Sequence, residues 1–388
     1  MFTIQTLNHI ARSGLDRLPA NLYRVASEVA APDAVLLRSA DMHAWPVADS
    51  VKAVARAGAG TNNIPVAALS ARGVPVFNAP GANANAVKEL VVAGMLLAAR
   101  NLADALAFVR ELEADAELAR RVEAEKKRFV GGELAGKTLG VVGLGAIGVK
   151  VANAAHALGM RVLGFDPHMT IDGAWALSSE VAKAASLQEL FAAADYLTFH
   201  VPLNDRTRGL FGQAALTAVR RGVVLLNFSR AGVVDAAALR QGLEEGSIGR
   251  YVCDFPAADL LGNPRVIALP HLGASTGEAE ENCAAMVVDQ LRDFLEHGNV
   301  HNSVNFPEIR MARSDNGRLC IANSNRPNMI GQLSQVLGSA GLNIAQMHNA
   351  SRGELAYTLI DVDSPVPASL LGAIAGIDGI LSVRFIGA

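Results

Sequence analysis

The most constraining feature of this 388-residue chain is a glycine-rich turn between an apolar segment and an amphipathic one. The apolar run 139–142 leads into Gly143, Gly145 and Gly148, which have the G-x-G-x-x-G spacing, and residues 149–158 follow a helical pattern. In such a turn the first glycine permits the tight bend, the second lets backbone amides approach a pyrophosphate, and the third allows close helix packing. The spacing alone is weak evidence, but its place between strand and helix predicts a dinucleotide-binding turn.

The acid after the next predicted strand indicates which dinucleotide binds. Strand 161–165 leads into Asp166, which follows Gly148 at close to the separation expected for an acid that binds ribose hydroxyls. A carboxylate here repels the 2′-phosphate of NADP, so the sequence predicts NAD as the cofactor. The alternative, a glycine-rich turn without a ligand and a strand-end Asp, explains the two features only as a coincidence.

The order of apolar and helical segments predicts an α/β fold with two doubly wound parallel sheets of the Rossmann or flavodoxin type. Helical segments separate the predicted strands, and one helical region, 87–127, passes from apolar to charged. A long helix is predicted over 276–297. The predicted strands are 34–38, 51–55, 74–77, 138–142, 161–165, 196–200, 223–227 and 250–253.

The last seventy residues have a different pattern. Strand, helix, strand, strand, helix and strand follow each other from Arg318 onward, which predicts a small ferredoxin-like α+β domain with βαββαβ order. The extended, turn-like segment 301–307 reads as a linker before it. The predicted domains are therefore a discontinuous substrate-binding domain at 1–88 and 277–302, an NAD-binding domain at 89–276, and the small domain at 317–388.

Composition and charge limit the classes of partner. The formal net charge is −3, which supplies no basic field for nucleic acid or an anionic membrane, so small molecules and further subunits are the expected partners. Cys253, Cys283 and Cys320 lie far apart without metal-ligand spacing, and we expect neither disulfides nor a metal site. The N-terminus lacks a basic start with an apolar core, and a soluble, cytoplasmic protein is expected.

Two polar residues after strands suggest hydride-transfer chemistry. Arg230 follows strand 223–227, at the edge of the sheet where ligands bind, and a guanidinium can hold a 2-hydroxy acid by its carboxylate. His271 lies on a loop and can exchange a proton near neutral pH. A lone histidine is more often structural, but Arg230 and the nearby acids Asp254 and Asp259 favour a chemical role. His200, also at a strand end, is expected to form the wall of the nucleotide cleft.

These residues together resemble the D-isomer-specific 2-hydroxy-acid dehydrogenases, and the similarity extends over essentially the whole chain. The matching segments include 55–64, 77–83, 200–202 and 270–276 beside the glycine turn. The resemblance implies that Arg230 orients the substrate, that His271 is the acid/base, and that Asp259 stands in for the glutamate that pairs with the histidine. Ala231 replaces a family glycine, and Asp259 is one methylene shorter than glutamate and lies in a shortened loop.

The resemblance also implies the residues that contact ligands. Substrate contacts are expected from one set near the N-terminus, with exposed salt bridges as the alternative for its arginines. That set is Arg38, Arg56, Ala59, Gly60 and Asn83. Cofactor contacts are expected from Gly143, Gly145, Ala146, Ile147, Gly148, Asp166, His200, Val201, Pro202, Asn227, Phe228, Ser229, Asp254, His271, Gly273 and Ala274.

The small C-terminal domain resembles ACT regulatory domains, which bind amino acids at subunit interfaces. Asn323, Asn325 and Asn343 occupy the stretches that bind serine in related dehydrogenases, although the first of these positions is often histidine. Serine as an effector and a homo-oligomer, dimer or tetramer, are therefore expected. The alternative is a purely structural dimerisation domain.

Taken together, the resemblance implies NAD-dependent oxidation of 3-phospho-D-glycerate to 3-phosphooxypyruvate, the first step toward L-serine, with feedback by serine. A second hypothesis keeps the chemistry and changes the substrate to another D-2-hydroxy acid, such as glycerate or 2-hydroxyglutarate. A third is an NAD-sensing corepressor on the same fold, which the Arg230 and His271 pair disfavours.

Overall fold

The computed structural model describes residues 1–387, and the chain divides into two compact units. One unit comprises Met1–Asn83 with Gly277–Ala388, and the other comprises Ala84–Thr276. The last residue of the predicted C-terminal domain, Ala388, lies outside the described residues. The boundaries of the three predicted domains stay predictions, and each unit is described separately below.

The strands are numbered in chain order, and so are the helices. Strands β1 to β16 are Phe2–Thr6, Tyr23–Ala26, Ala34–Leu37, Ala53–Arg56, Val76–Phe77, Thr138–Val142, Arg161–Phe165, Ala182–Lys183, Tyr196–Phe199, Val223–Asn227, Ile248–Cys253, Val266–Ala268, Gly317–Ser324, Ile344–Arg352, Leu355–Val362 and Ile380–Ile386. Helices α1 to α13 are Arg12–Leu15, Val66–Ala71, Ala84–Ala99, Leu102–Arg110, Leu118–Glu125, Ala146–Ala157, Ile171–Ala176, Leu187–Ala193, Gln213–Ala218, Ala236–Glu245, Gly277–His297, Met329–Ser339 and Ala368–Ala375.

The unit Ala84–Thr276 is built on a seven-stranded sheet in the order β12-β11-β10-β9-β6-β7-β8. All its pairings are parallel, and the chain reverses its direction of winding between β6 and β9. Every residue of β6 and β9 is buried, which explains why both read as continuous apolar runs. Ligands bind at the carboxyl ends of strands at such a switch point. The prediction of a doubly wound sheet is confirmed.

The other unit carries a second parallel sheet, in the order β2-β1-β3-β4-β5. The long helix α11 packs on α1, β4 and β5. Phe77 of β5 and Phe294 of α11 meet with ring centroids 5.5 Å apart in one apolar core. This order is the flavodoxin type, so the carboxyl ends of β3 and β4 lie side by side.

The C-terminal residues form the predicted βαββαβ arrangement, with an antiparallel sheet in the order β14-β15-β13-β16. Helices α12 and α13 cover one face, where Leu333 and Ile374 pack on Ile321 of β13. The opposite face joins the core of the parallel sheet, and the ring of Tyr357 lies 6.4 Å from that of Phe294. Because both faces are covered, β13 is buried over most of its length.

The helical region 87–127 differs from the prediction of one buried helix continuing into an exposed one. It comprises α3, α4 and α5, and Asn101 takes a left-handed backbone conformation, with φ of 50°, between the first two. Asparagine tolerates that conformation better than most residues, which periodicity does not reveal. Within residues 1–387, no single helix has the length and apolar composition to cross a membrane; α3 and α4 pass that test only as a pair, bent by 72°.

Candidate active site

The glycine turn lies at the switch point of the seven-stranded sheet. Gly143 follows β6 with φ of +90°, and a Cβ there would lie 2.6 Å from the carbonyl oxygen of His200. A Cβ on Gly148 would lie 1.9 Å from the carbonyl oxygen of Gly143, so both positions require glycine. A Cβ on Gly145 would have no heavy atom within 4 Å, and no side chain caps the amides of α6 behind it. Open space before uncapped helix amides fits a pyrophosphate.

Asp166 is held beside this turn by two backbone hydrogen bonds. One carboxylate oxygen accepts from the amide of Leu144 at 2.8 Å, and the other accepts from His168 at 2.8 Å. The preceding carbonyl, of Phe165, accepts from the amide of Gly143 at 2.9 Å. Each carboxylate oxygen keeps further acceptor capacity for a ribose hydroxyl. The residues present therefore fit NAD at this turn.

His200 continues β9 next to the turn, and its environment keeps it neutral. Its backbone amide donates to the carbonyl of Val142 at 2.8 Å, and its Nε2 lies 2.9 Å from the hydroxyl of Thr198. Burial of the imidazole lowers the pKa of His200 to about 3. An imidazole with that pKa is not a general acid near neutral pH. The role of His200 as a wall of the nucleotide site stays a prediction.

Arg230 is presented by a loop that a buried asparagine shapes. The side-chain oxygen of Asn227 accepts from the amide and the hydroxyl of Ser229, at 3.2 and 3.0 Å. Its amide nitrogen donates to the carbonyl of Arg230 at 3.0 Å. The guanidinium of Arg230 is exposed and donates to the carbonyl of Ser229 at 2.7 Å. Asn227 is thus occupied with positioning the arginine, and its predicted cofactor contact stays a prediction.

His271 lies on a loop that a second buried side chain holds. The backbone at His271 is left-handed, with φ of 56°, which is uncommon for a residue other than glycine. The carboxylate of Asp254, which is 1% exposed, accepts from the amides of Leu272 and Gly273, both at 2.7 Å. The ring of Phe255 packs edge-on against the imidazole, with centroids 5.1 Å apart. Asp254 therefore fixes the loop, while the imidazole itself stays exposed.

Asp259, the expected partner of the histidine, is bound elsewhere. Its carboxylate accepts from Arg240 at 2.6 Å, and both side chains are about half exposed. No hydrogen bond within residues 1–387 joins either Asp259 or Asp254 to the imidazole of His271. The pairing of Asp259 with His271 stays a prediction.

The remaining predicted cofactor residues have varied surroundings. Ala146 and Ile147 begin α6, and Val201 packs close to Gly143. The carbonyl of Pro202 accepts from the hydroxyl of Thr207 at 2.5 Å. Phe228 is buried against α3, where a Cβ on Gly94 would lie 3.1 Å from its ring, so its side chain belongs to the core. Ala274 follows the buried Gly273 on the histidine loop.

The predicted substrate residues lie in the other unit, where Arg38 and Arg56 are at the carboxyl ends of β3 and β4. The guanidinium of Arg56 donates to the carbonyls of Arg38 and Gly60, at 2.9 and 2.6 Å. Arg38 forms an ion pair with Glu280 of α11 at 2.7 Å. The carbonyl of Ala59 accepts from Asn78 at 2.6 Å. The predicted Asn83 ends the first segment of this unit, directly before α3.

Two of the three predicted effector residues meet at a pocket of about 130 Å³ in the C-terminal sheet. Asn323 and Asn325 line it, together with Asn328 and Asn349. The side-chain oxygen of Asn323 is buried without a hydrogen-bond partner within residues 1–387. Asn343 is not among the residues that line this pocket, and its side-chain amide donates to the carboxylate of Asp363 at 3.0 Å.

The sequence named Asp254 as a candidate acid for His271 and as a cofactor contact, but it did not predict that this carboxylate accepts from the amides of the histidine loop or that Glu280 pairs with Arg38. Asp254 directly follows a buried strand, and that position was a usable signal for a side chain that braces the next loop. Glu280, the partner of Arg38, had no local signal, because its arginine lies in a distant part of the chain. Within residues 1–387, no three His, Cys, Asp or Glu side chains come together as a set that could hold a metal ion.

A glycine turn at the switch point, Asp166 beside it, and Arg230 and His271 on braced loops of the same unit define an NAD-dependent oxidoreductase. Residues 92–273 match the model of the family described as "D-isomer specific 2-hydroxyacid dehydrogenase, NAD binding domain". D-3-phosphoglycerate dehydrogenase of Haemophilus influenzae is 33% identical over 337 residues, which are 84% of this chain and 78% of the relative. The chain belongs to the D-isomer-specific 2-hydroxyacid dehydrogenase family.

Two further comparisons add to this result. D-3-phosphoglycerate dehydrogenase of Methanocaldococcus jannaschii is 35% identical over 317 residues, which are 80% of this chain, and the match spans only 56% of that relative's length. The structure of cofactor (NAD+)-bound 3-phosphoglycerate dehydrogenase from Entamoeba histolytica is similar with a TM-score of 0.60. It is 24% identical and covers 78% of this chain and 98% of its own, which shows the shared fold.

Proposed function

We propose that this protein oxidises 3-phospho-D-glycerate to 3-phosphooxypyruvate with NAD. The observation that supports this most is the pair of braced loops in one unit, where Asn227 positions Arg230 and Asp254 positions the His271 loop. The relatives in Haemophilus and Methanocaldococcus, both D-3-phosphoglycerate dehydrogenases, support the choice of substrate.

NAD, when bound, supplies the nicotinamide that accepts the hydride from C2 of the hydroxy acid. The amides at the start of α6 and the open space at Gly145 would hold its pyrophosphate. Asp166 would accept hydrogen bonds from the ribose hydroxyls of the adenosine half. These residues select and orient the cofactor.

Arg230 and His271 would perform the work on the substrate. The planar guanidinium of Arg230 can bind the substrate carboxylate with two parallel hydrogen bonds and polarise the C2 oxygen. During oxidation the imidazole of His271 takes the proton of the C2 hydroxyl as C2 loses its hydride, and during reduction it returns that proton. Arg38 and Arg56 would recognise the phosphate, with Ala59, Gly60 and Asn83 as further predicted contacts.

The proposal is tested by the choice of substrate. We would follow NADH consumption with phosphohydroxypyruvate, hydroxypyruvate, glyoxylate and 2-oxoglutarate at equal concentrations. The expected result is that kcat/KM is highest for phosphohydroxypyruvate. A preference for hydroxypyruvate or 2-oxoglutarate would instead support another D-2-hydroxy acid as the substrate, and no turnover of any acid would contradict the enzyme assignment.

We further propose that the C-terminal domain is an ACT regulatory domain that binds L-serine at the asparagine-lined pocket. The unpaired, buried oxygen of Asn323 supports this, because an amino-acid ammonium group could donate to it. A titration of the protein with L-serine, with L-alanine as control, tests this proposal. Saturable binding that Asn323→Ala removes is expected, and a lack of binding would leave this domain a purely structural role.

A homo-oligomer in the cytoplasm is the proposed state of the protein. Leu102, Leu106 and Val109 of α4 are 40 to 58% exposed at helical spacing, which supports a further subunit as a partner. The free thiols of Cys253, Cys283 and Cys320 are buried, as suits a reducing compartment. Light scattering coupled to size exclusion would test the assembly, and a monomeric mass would contradict it.

A further inference from the structure

Two arginines and one glutamate form a charged cluster beside the parallel sheet of the unit that contains both chain ends. Arg38 directly follows β3, and Arg56 is the last residue of the neighbouring strand β4. Glu280 lies in the first turn of α11. The Nη1 atom of Arg38 lies 2.7 Å from a carboxylate oxygen of Glu280, and each side chain is about one-third exposed. The carboxyl edge of such a sheet is where ligands bind.

The other arginine stands in a defined place next to this ion pair. Arg56 donates to the carbonyls of Arg38 and Gly60, so its guanidinium joins the loops that follow β3 and β4. The buried thiol of Cys283 lies on the next turn of α11 after Glu280. Burial raises the pKa of Cys283, the charges of Arg38 and Arg56 lower it, and that of Glu280 raises it. All three charged groups are therefore close enough to the thiol to act on its pKa.

In this cluster, Arg38 is already paired with a carboxylate before any anion binds. Glu280 neutralises one of the two arginines, and its position at a helix N-terminus stabilises its carboxylate. An anionic group that binds Arg38 must replace this carboxylate. A phosphate has two negative charges and three oxygens, so it competes for a guanidinium better than a second carboxylate does.

We propose that Glu280 is a specificity-determining residue, which occupies Arg38 in the free protein and yields it to the phosphate of the substrate. This inference rests on the proposed function, because it assigns Arg38 to the substrate's phosphate. Glu280 disfavours substrates whose far end is a carboxylate, since a single carboxylate displaces it less well than a phosphate does. A neutral far end does not compete for Arg38. It is a residue of substrate choice and takes no part in hydride or proton transfer.

The test compares Glu280→Gln with the natural protein and with Glu281→Gln, an exposed carboxylate on the same helix turn. Without the competing charge, the KM for phosphohydroxypyruvate should fall by roughly two- to fivefold, as expected for a partly exposed ion pair. The KM for hydroxypyruvate, which has no anionic far end, should stay within error. Glu281→Gln should change neither value.

A second variant tests the part that Arg38 plays. Adding Arg38→Gln to Glu280→Gln should abolish the decrease in the KM for phosphohydroxypyruvate, because the guanidinium that Glu280 released is then absent. A KM for phosphohydroxypyruvate that is unchanged or higher in Glu280→Gln would overturn the inference. An equal fall for hydroxypyruvate would do so as well, since it would show a general effect on the fold or on the cofactor.

A binding measurement separates this inference from the proposed function. Calorimetric titration with 3-phosphoglycerate in the presence of NADH, which cannot accept a hydride, reports affinity without turnover. If no 2-oxo acid is reduced but Glu280→Gln still binds 3-phosphoglycerate two- to fivefold more tightly, the proposed reaction fails and the inference holds. If turnover occurs but the affinity of Glu280→Gln is not increased, the inference fails alone. If neither protein binds 3-phosphoglycerate, both fail.

Discussion

The carboxylate of Asp254 accepts a hydrogen bond from the backbone amide of Gly273 at 2.7 Å, and its second oxygen accepts from Leu272 at the same distance. These bonds give the buried carboxylate of Asp254 its hydrogen-bond partners. They also hold the two peptides that follow His271, whose own backbone is left-handed. Within residues 1–387, Asp254 makes no hydrogen bond with the imidazole of His271, yet its hold on the loop can set where the imidazole lies.

Asp254→Asn should reduce both stability and turnover. The asparagine has one acceptor oxygen and an NH2 group that cannot accept from the second amide, so the free energy of unfolding should fall by about 1 to 3 kcal/mol. A displaced imidazole should lower kcat by roughly 10- to 100-fold. Urea unfolding and steady-state kinetics measure the two effects, with the exposed Asp172→Asn as control. An unchanged kcat would show that the loop keeps its shape without Asp254.

Asp166→Ala should mainly change cofactor use. The substitution removes the acceptors for the amides of Leu144 and His168 and the carboxylate that repels a 2′-phosphate. The KM for NAD should rise and the ratio of kcat/KM for NAD over NADP should fall, by roughly tenfold for one lost charge-assisted contact. Kinetics with both dinucleotides at fixed substrate measure this ratio. A ratio that stays constant would remove Asp166 from cofactor selection.

Asp259→Asn tests whether the shortened loop supplies an acid to His271. Because Asp259 is paired with Arg240 and both are about half exposed, we expect kcat/KM to change by less than about threefold. The matched variant Arg240→Gln, which removes the other half of this ion pair, should also change kcat/KM by less than about threefold. A large loss of kcat in Asp259→Asn only, with a shifted pH profile, would show that Asp259 reaches the imidazole when substrate is bound.

The buried ion pair between Arg318 and Asp361 predicts a pH-dependent stability. Burial raises the pKa of Asp361, but hydrogen bonds from Arg318 and Ser314 lower it further than burial raises it, so the pKa lies below its ordinary value. The stabilisation is therefore fully present above the unfolded pKa of about 3.9 and is lost as the pH falls toward the folded pKa.

Asp361→Asn should lower the free energy of unfolding at neutral pH by about 3 to 5 kcal/mol, because the Arg318 guanidinium loses the partner of its charge. The loss should become smaller as the pH falls below about 3.9, where the carboxyl of Asp361 in the unfolded natural protein begins to protonate. Urea unfolding at several pH values measures both effects. A difference between the two proteins that does not change with pH would contradict this assignment of the pKa.

Local patterns predicted much of the fold, because several strands are buried on both faces. The predicted bounds of β6, β7 and β10 agree with the structure, and the βαββαβ order was also predicted. Strand β8 has only two residues, both exposed, and therefore has no apolar run to detect. The break at Asn101 depends on a single backbone conformation that helical periodicity does not show.

In the candidate site, too, the features set by local spacing could be predicted from the sequence, and the contacts between distant residues could not. The glycine turn and Asp166 depend on spacing within one strand–helix–strand segment, so the sequence could predict that they lie beside each other. The pairing of Arg240 with Asp259 and that of Arg38 with Glu280 join residues from different elements. Such contacts are decided by packing and by competition among charges, and a single sequence carries no spacing that identifies them.

The oxidation itself tests the central claim most directly. The protein would be incubated with NAD and either 3-phospho-D-glycerate or its L enantiomer, with hydrazine present to remove the 2-oxo product, while NADH formation is recorded. The account predicts NADH formation from the D enantiomer only, and its loss in His271→Ala with NAD affinity nearly retained. No NADH from 3-phospho-D-glycerate, or equal rates from both enantiomers, would contradict it.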